Sequence, residues 1–480
     1  MFYDFIRYLN YFESELKAMG GIKRNKEKYI LRQNVGNTNS KNFPDKGAYF
    51  GCISEDEEYK GAYSDLSIAV FPSNEESIES DRWLICLIVG TLGFKNDFEL
   101  VSLPGLRRSL VKYLPKGSYI KNDFFDIESA DGFNDFMESK ELPNSLENSV
   151  KDYRKYILSS TIFNPGDTTL SENIISIYLS IYAHIRQWAS NKDERKKINS
   201  NLLAKTNIID DKTEVKKLLK KRKYIILQGA PGTGKTRLAK QIASEGSDGN
   251  EDLVYFTQFH AETSYSEFIY GIYPNVNDGD LGYKGKEGIL IKAIKSALTE
   301  KDKNIYLIID EINRANLSNV LGPAFYLFEP NMADESFALE LYDGFSIKTL
   351  PNNLFIIATM NTADRSLSVV DFALRRRFAR YTMTPHVIND LDDDKFFCYK
   401  EFRDFDEIFE KYASDYELNL QPGQSYFIVS KNNVEEDMNN RLRYELMPLI
   451  KEYLLDGLMS RAKDAFVNYF RKKLDLEMFL

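Results

Sequence analysis

Short apolar runs alternate with amphipathic segments through the middle of the chain. The runs lie at Tyr224–Leu227, Ile305–Ile309 and Leu354–Ala358, and helical stretches separate them. Such runs are typical of parallel strands that are buried on both faces. We therefore expect residues 223–385 to form an α/β subdomain, a parallel sheet with helices on both faces.

The remainder of the chain, residues 386–480, has a helical pattern instead. Amphipathic stretches such as Tyr444–Leu458 dominate it, and apolar residues at helical spacing indicate packed helices. The pattern predicts a C-terminal helical subdomain that follows the sheet.

The N-terminal region differs from both. Strand-like alternation at Tyr63–Phe71 and Trp83–Phe94 is followed by turn signals at Pro104-Gly105 and Pro115-Lys116-Gly117, which predicts an α+β domain over residues 1–190. The next stretch, 191–222, is rich in Lys, Asp, Glu and Asn. It is predicted to be a charged helical linker.

The composition is that of a globular protein. Of its 480 residues, 43% are hydrophobic and 28% are charged, which excludes collagenous, membrane-embedded and wholly disordered chains. Cys52, Cys86 and Cys398 lie far apart, so neither a disulfide framework nor a zinc site is expected. Because the sequence has no signal-peptide pattern and no apolar run of about 18 residues, we expect a cytoplasmic protein that does not span a membrane.

Charge is distributed unevenly along the chain. The 63 basic and 72 acidic residues give a net charge of −9, which is unlike an obligate nucleic-acid binder. Residues 201–250, however, contain 11 basic and 5 acidic residues. Any DNA site must therefore be local, and this basic block coincides with the first chemical motif.

That motif is a glycine-rich loop between the first apolar run and a helical segment. It reads Gly229-Ala-Pro-Gly-Thr-Gly-Lys-Thr236, which is the spacing of a P-loop in its required context. Backbone N–H groups at a helix N-terminus suit the β- and γ-phosphates of a nucleotide. A glycine loop without a phosphate role would not explain the strand, the spacing, the Lys and the Thr together. The predicted nucleotide-binding residues are Gly229, Pro231, Gly232, Thr233, Gly234, Lys235 and Thr236.

Two acidic residues, Asp310 and Glu311, end the second apolar run. An Asp at the carboxyl end of a buried strand beside a P-loop can hold Mg²⁺ together with Thr236, and the following Glu can polarise the attacking water. An apolar run that ends in Asp-Glu is usually a solvated strand end when it stands alone. The P-loop upstream favours the catalytic interpretation.

The third run ends in Thr359-Met360-Asn361. An amide at this strand tip can orient water beside the γ-phosphate, so we predict that Asn361 is a sensor of the nucleotide. The alternative is that Asn361 caps the next turn.

Three consecutive arginines, Arg375, Arg376 and Arg377, follow. They cannot all lie on one side of a helix, so they are expected at an edge or interface. A guanidinium that reaches the γ-phosphate of a neighbouring subunit would raise the rate by roughly 10³ to 10⁵. A solvated basic face or a patch that contacts DNA is the alternative.

Several segments together resemble the AAA+ motor subunit of McrB-type modification-dependent restriction systems. They extend over roughly half the chain, from about Lys223 to Leu458, and read Asp310-Glu-Ile-Asn-Arg-Ala-Asn316, Met360-Asn-Thr-Ala-Asp-Arg-Ser366, Leu374-Arg-Arg-Arg-Phe378, Phe259-His-Ala-Glu-Thr-Ser-Tyr-Ser-Glu-Phe268 and Arg443-Tyr-Glu-Leu-Met-Pro-Leu-Ile-Lys-Glu-Tyr453.

The resemblance implies a hexameric ring with nucleotide at the subunit interfaces, GTP with ATP as the alternative, Mg²⁺, and a separate McrC-like nuclease subunit. It implies Lys235, Thr236, Asp310, Glu311 and Asn361 for the site in cis. Arg376 and Arg377 would act in trans on the neighbouring subunit's nucleotide. Asp364 and Arg365 belong to the signature loop of the family and are included among the nucleotide-binding candidates.

One segment departs from the family. The family tends to read Gly-His-Ser-Tyr-Phe in the helical subdomain, whereas this chain has Gly423-Gln-Ser-Tyr-Phe427. Gln424 is neutral where His can carry a charge. Whether this position takes part in nucleotide binding or in an interface is therefore open.

No nuclease site is expected in the chain. Glu-x-Lys triplets, which restriction-type nucleases use together with an Asp, occur at Glu58, Glu138 and Glu214, and each resembles a solvated loop or helix face. The three histidines are scattered and predict no metal site.

The first domain offers basic clusters that could grip DNA, but an ordinary solvated face is the favoured interpretation. One cluster lies at Lys23–Lys28 and the other at Arg107, Arg108, Lys112, Lys116 and Lys121, near Tyr113 and Tyr119.

The resulting functional hypothesis is a nucleoside triphosphatase of the AAA+ class. It would drive DNA translocation for a nuclease partner in defence against foreign DNA, with residues 1–190 recognising either modified or unmodified DNA. The alternative is a protein remodeller of the MoxR or chaperone kind with a protein client.

Overall fold

The computed structural model of the chain describes two compact units, Met1–Asn207 and Ile208–Leu480. Within them it describes residues 2–23, 26–27, 29–34, 47–57, 61–73, 82–140, 142, 144–203, 210–277, 280–329, 338–341, 344–363, 376–388 and 391–479.

The first unit is built on an antiparallel sheet of six strands. In spatial order these are Tyr29–Asn34, Tyr49–Ser54, Leu66–Phe71, Trp83–Val89, Ile157–Phe163 and Tyr119–Ile120. Every residue of the two central strands is buried, because apolar clusters cover the sheet on both faces. The described residues of this unit thus combine strands and helices, as the α+β prediction expects.

Helices of the first unit supply these covering layers. The principal ones are Phe2–Ala18, Pro104–Tyr113, Asp131–Ser139, Asn144–Val150, Thr168–Ile185 and Lys192–Leu203, with a short helix at Phe98–Val101. Ile198 and Leu202 of the helix Lys192–Leu203 belong to the apolar core of the first unit. The stretch 191–222, predicted to be a linker, is therefore divided between the two units.

One turn prediction in this unit is wrong. Pro104-Gly105 begins the helix Pro104–Tyr113 instead of forming a turn. Proline has no N–H to donate and its fixed φ suits the first helical position, so the same residue that punctuates a loop also begins a helix. The second turn signal, at Pro115, is confirmed by the bond from the Ser118 N–H to the Pro115 carbonyl, 3.2 Å.

The second unit contains a parallel sheet of five strands. In spatial order these are Val254–Gln258, Ile305–Asp310, Leu354–Asn361, Tyr224–Gly229 and Ala379–Thr382. Separate apolar clusters cover its two faces. This confirms the α/β prediction and brings the carboxyl ends of the three predicted strands to one edge.

Helices flank this sheet and an antiparallel hairpin extends from it. The flanking helices include Asp211–Arg222, Lys235–Gly246, Tyr265–Phe268, Ile289–Thr299 and Leu317–Leu321, and the hairpin pairs Tyr270–Asn277 with Asp280–Glu287. A two-stranded piece pairs Leu339–Glu340 with Ser346–Ile347.

The C-terminal part is helical, as predicted, with its own apolar core. Its helices are Tyr399–Tyr412, Val434–Arg441, Met447–Leu455 and Lys463–Leu474, and Lys395–Phe397 pairs with Ile428–Ser430. A π-helical turn at Leu442–Leu446 joins the second and third helices, so the amphipathic stretch expected at Tyr444–Leu458 begins inside that turn.

Candidate active site

The P-loop leads from the strand Tyr224–Gly229 into the helix Lys235–Gly246. Lys235 is buried, and its Nζ donates to the carbonyls of Gly229 at 3.0 Å and Ala230 at 2.8 Å. These carbonyls are neutral partners, and an anionic phosphate oxygen would be a stronger, charge-assisted one. The amine is therefore already held within the loop where a phosphate group would compete for it.

Asp310 joins the P-loop helix to the neighbouring strand tip. Its Oδ1 accepts from the hydroxyl of Thr236 at 2.7 Å and from the hydroxyl of Thr359 at 2.6 Å. The strand order brings this about, because the strand that ends in Asp310 pairs with Leu354–Asn361, which pairs in turn with the P-loop strand. The site thus presents hydroxyl and carboxylate oxygens together, the ligand type that Mg²⁺ prefers.

Thr359 is a functional candidate that the sequence reasoning missed. Besides donating to Asp310, its Oγ1 accepts from the backbone N–H of Glu311 at 3.0 Å. One buried hydroxyl therefore fixes both neighbouring acidic residues. The available signal was a polar residue at the tip of an otherwise apolar strand, two positions before the amide that was selected.

Glu311 has different partners from Asp310. Its backbone is left-handed, with a φ of 53°, a conformation that costs a residue with a side chain of order 1 kcal/mol or more. Its Oε2 lies 3.7 Å from Nε of Arg314. The two adjacent acids thus have separate environments, which fits separate roles.

Asn361 lies opposite Gly229 in the sheet register, directly beside the first glycine of the P-loop. Its Oδ1 accepts from the N–H of Ala363 at 3.1 Å. This is the turn-capping interaction that was the alternative to a sensor role. Because the cap uses only the carbonyl oxygen, it leaves the Nδ2 of Asn361 for any second role.

The two described arginines of the basic run lie in unlike environments. Arg377 is buried, pairs with Glu329, and has its guanidinium carbon 4.0 Å from the centroid of the Phe325 ring. Arg376 is exposed. Arg375 and the signature-loop candidates Asp364 and Arg365 lie outside the described residues.

A cavity of about 580 Å³ opens between the start of the P-loop helix and the helical subdomain. Arg237, which directly follows Thr236, lines one side, and Asp437, Asn440 and Arg441 of the helix Val434–Arg441 line the other. Its volume is that of a typical small-molecule site.

In the second basic cluster of the first unit, Lys121 and the neighbouring Tyr119 are engaged within the fold. Lys121 is buried and its Nζ donates to the carbonyls of Ser129 at 2.8 Å and Lys155 at 2.7 Å. Burial also lowers the pKa of Lys121. Tyr119 packs on Phe133, with ring centroids 5.3 Å apart, so neither group is available to DNA. The other cluster, at Lys23–Lys28, has no described side chains.

Two features are absent from the described parts of the chain. No group of three or more His, Cys, Asp or Glu side chains there has the arrangement of a metal site. No helix among those residues is long and apolar enough to cross a membrane.

Comparison with known proteins agrees with this geometry. Residues 224–378 match the AAA domain of the dynein-related subfamily. The chain is 33% identical over 274 residues to the type IV methyl-directed restriction enzyme EcoKMcrB subunit of Escherichia coli, covering 52% of this chain and 59% of that protein.

A second relative is the type II restriction enzyme BsuMI component YdiS of Bacillus subtilis. It is 26% identical over 285 residues, which cover 52% of this chain and 76% of the relative. Among solved structures, a putative ATPase from Cytophaga hutchinsonii aligns over 48% of this chain and 58% of its own, with 17% identity and a TM-score of 0.25.

The matching part of the chain therefore coincides with the sheet, the P-loop and the strand tips described above. The AAA domain match, the order of the parallel strands and the McrB relative agree with one another. The chain thus contains an AAA domain and is similar to a McrB subunit over about half of its length.

Proposed function

We propose that this chain is the GTP-hydrolysing motor subunit of a McrBC-like restriction system. The observation that carries the proposal is the convergence of Thr236 and Thr359 on Asp310 beside the P-loop lysine. The restriction-enzyme relatives support the cellular role. They match only part of the chain, and the chain spans 59% of the McrB relative, so substrate and partners belong to the proposal.

Each residue has a distinct part in hydrolysis. The Thr236 hydroxyl and Asp310 would hold Mg²⁺, which neutralises charge on the β- and γ-phosphates. Lys235 exchanges its two carbonyl partners for phosphate oxygens. Glu311 would accept a proton from the attacking water, which the Nδ2 of Asn361 orients. The water oxygen bonds to the γ-phosphorus as the bond from that phosphorus to the bridging oxygen breaks, which releases the nucleoside diphosphate and inorganic phosphate.

The preference for guanine rests on the cavity beside Arg237. Asp437 is half-buried on its wall and has no ion pair with any described residue. A carboxylate can accept from both N1–H and the exocyclic amine of guanine, a pair of donors that adenine lacks. We assign Asp437 to this contact.

Substitution tests the assignment. Asp437→Asn should reduce the ratio of kcat/KM for GTP over ATP by about tenfold, equivalent to ~1.4 kcal/mol. Glu435→Gln, on the exposed side of the same helix, is the control and should leave the ratio unchanged. An unchanged ratio in Asp437→Asn removes Asp437 from base recognition.

Of the two described arginines, Arg376 is the proposed trans finger. A finger must leave its own subunit, and Arg376 is exposed whereas Arg377 is held by Glu329 and the Phe325 ring. Mixing Arg376→Ala subunits with Lys235→Ala subunits should restore part of the activity, since each mixture forms some complete sites. Arg377→Ala should instead lower the unfolding temperature. Full activity of Arg376→Ala alone contradicts the assignment.

We further propose that the first unit recognises DNA. Its support is a pocket lined by Tyr49, Tyr63, Tyr153 and Arg32, in which the guanidinium carbon of Arg32 lies 5.3 Å from the centroid of the Tyr63 ring. Aromatic faces beside a guanidinium suit the stacking of a base. Tyr63→Ala should weaken duplex binding at low salt without changing basal GTP hydrolysis.

The experiment that tests the function is a comparison of stimulants. GTP and ATP hydrolysis is measured for the purified chain alone, with duplex DNA, and with the product of an adjacent nuclease gene. Stimulation by DNA and nuclease, together with a ring-sized mass in light scattering, supports the proposal. Stimulation by a protein client without DNA binding would make the chain a protein remodeller.

A further inference from the structure

The outward face of the P-loop is held by a segment of the helical subdomain, residues 423–426, here called the lid strap. The N–H of Gly423 donates to the Pro231 carbonyl at 2.9 Å and the N–H of Ser425 to the Gly232 carbonyl at 3.0 Å. The side-chain Nε2 of Gln424 donates to the Thr233 carbonyl at 2.9 Å. Three successive carbonyls of the loop therefore have lid-strap donors.

The two backbones touch directly. A Cβ on Gly423 would lie 2.1 Å from the carbonyl carbon of Gly232, and a Cβ on Gly232 would lie 2.4 Å from Oγ of Ser425. Gly232 also has a φ of 79°, which disfavours other residues. Glycine at both positions is thus needed for the lid strap to reach the loop.

These bonds act on the groups that bind phosphate. In a planar trans peptide the carbonyl and the following N–H point in opposite directions. A bond to the Thr233 carbonyl therefore orients the N–H of Gly234, and the other two bonds orient the N–H groups of Gly232 and Thr233. Donors that are oriented before the ligand arrives need no reorganisation when it binds.

Of the three lid-strap donors, Gln424 is the one that donates through its side chain. It is 5% exposed, and its Oε1 has no hydrogen-bond partner among the described residues. A buried acceptor without a partner costs about 1–3 kcal/mol, so the Oε1 of Gln424 makes no favourable contribution here. What the position supplies is the N–H donor.

We infer that Gln424 is a positioning residue for nucleotide binding: its neutral N–H holds the Thr233–Gly234 peptide with the N–H directed toward the phosphate. The inference rests on the proposed function, namely that the loop binds a nucleoside triphosphate. Charge plays no part in it. The histidine of the related segments can meet the same requirement, because a neutral imidazole also carries one N–H donor.

The test compares Gln424→Met, which keeps the volume and removes the donor, with Gln424→His, which keeps a donor. Gln421→Met is the matched control, since Gln421 is equally buried and donates to Asp406 Oδ1 at 3.2 Å within the helical subdomain. For the full-length chain, the Kd of a fluorescent GTP analogue, KM, kcat and the unfolding temperature are measured.

We expect Gln424→Met to raise Kd and KM about tenfold with kcat within about twofold of the wild type, because the lost orientation affects ground and transition states alike. Gln424→His should stay within about threefold of the wild type in all three constants. Gln421→Met should lower the unfolding temperature and leave KM unchanged. If Gln424→Met unfolds at the assay temperature, Gln424→Asn, whose amide is one methylene too short, takes its place with the same expectation.

The inference is overturned if Gln424→Met has the KM of Gln421→Met, or if Gln424→His loses as much affinity as Gln424→Met. Those outcomes leave the proposed function intact as long as the wild type turns over nucleotide. A wild-type chain that binds neither GTP nor ATP overturns the proposed function and the inference together.

Discussion

In the second unit, polar residues meet at the ends of parallel strands, whereas in the first unit an ion pair lies buried in the structure. Asp310 and Thr359 stand at neighbouring strand tips and meet Thr236 there. In the first unit Arg186 and Asp97 form a buried pair, with Nη1 3.0 Å from Oδ1.

The difference teaches how charge is used in each region. At the sheet edge of the second unit, polar groups have partners that a ligand can replace, such as the two carbonyls that bind Lys235. Asp97 also accepts from the N–H of Leu66 at 2.8 Å, and the Arg186 guanidinium lies over the Tyr182 ring, so both members of this pair make further contacts within the fold. At the sheet edge, therefore, a ligand can compete for the polar groups, whereas the Arg186–Asp97 pair serves the fold.

The sharpest test of this contrast is the P-loop lysine. Lys235→Ala should raise the Kd for nucleotide by about 100-fold or more, since it removes a charge-assisted contact worth several kcal/mol in a buried site. The unfolding temperature without ligand should change by only a few degrees. Titration with a fluorescent nucleotide checks the first point and calorimetry the second.

Lys240→Ala is the control for this substitution. Lys240 lies on the same helix with an exposed side chain over the Phe256 ring, so its loss should leave affinity unchanged. Equal effects of the two substitutions would mean that the helix, and not the P-loop amine, determines binding.

The second prediction separates binding from chemistry. Glu311→Gln should slow hydrolysis by roughly 10² to 10⁴, the usual contribution of a general base, while nucleotide affinity stays near that of the wild type. Single-turnover hydrolysis measures it. Glu300→Gln, at a partly exposed acid paired with Lys303, should behave as the wild type. Normal turnover in Glu311→Gln would exclude Glu311 as the base.

The third prediction concerns the buried ion pair of the first unit, whose loss should affect stability and not nucleotide binding. Asp97→Asn should destabilise the first unit by about 3–5 kcal/mol, because it leaves the Arg186 guanidinium buried without its carboxylate. The KM for nucleotide should not change. Urea unfolding monitored by tryptophan fluorescence reports on this unit, which contains both tryptophans, Trp83 and Trp188.

Glu172→Gln provides the surface counterpart, as Glu172 pairs with Arg7 at 3.2 Å where both side chains are partly exposed. Surface pairs contribute about 0–1 kcal/mol, so this variant should unfold nearly as the wild type does. A comparable loss in both variants would contradict the distinction between buried and exposed pairs.

The smallest predicted effect concerns a buried lysine that belongs neither to the strand tips of the second unit nor to the ion pair of the first. Lys411 is buried in the helical subdomain, and burial lowers the pKa of its amine to about 8. Between pH 8 and about 10.5 the unfolded chain binds more protons than the folded one, so this residue's contribution makes stability rise with pH across that window. Below pH 8 the amine is protonated in both states, so the folded state bears the full cost of a buried charge.

Lys411→Met should therefore stabilise the helical subdomain at pH 7, by about 1–3 kcal/mol, and the gain should vanish near pH 10.5. Denaturant unfolding at both pH values measures it. Lys400→Met, on the exposed part of the same helix, should change stability by less than about 0.5 kcal/mol at either pH. A gain that persists at high pH would point to packing instead of charge.

Much of the second unit could be predicted because its signals are local. Each apolar run became a strand, and the strand Leu354–Asn361 continues three residues beyond the run that predicted it. Because such runs form parallel strands whose carboxyl ends lie at one edge of the sheet, the contact between Thr236 and Asp310 could be predicted. In the first unit the turn expected at Pro104 failed because proline has two uses that its neighbours alone do not distinguish.

For two residues of the site, the interaction partners could not be predicted. Thr359 acquires its role from Asp310 and Glu311 on the neighbouring strand, and Gln424 acquires its role from Thr233, 191 positions earlier. A threonine or glutamine has no local pattern that names such a partner. Their roles depend on which strands pair and on where the helical subdomain returns to the loop.

By itself, then, the amino-acid sequence determined the class of sheet, the phosphate loop and the acids at the strand tips, because these depend on residue type and short spacing. Only the tertiary structure decided which hydroxyls meet Asp310, which arginine is buried against Glu329 and what Gln424 holds. Those outcomes depend on contacts between residues far apart in the chain, and local pattern carries no information about them.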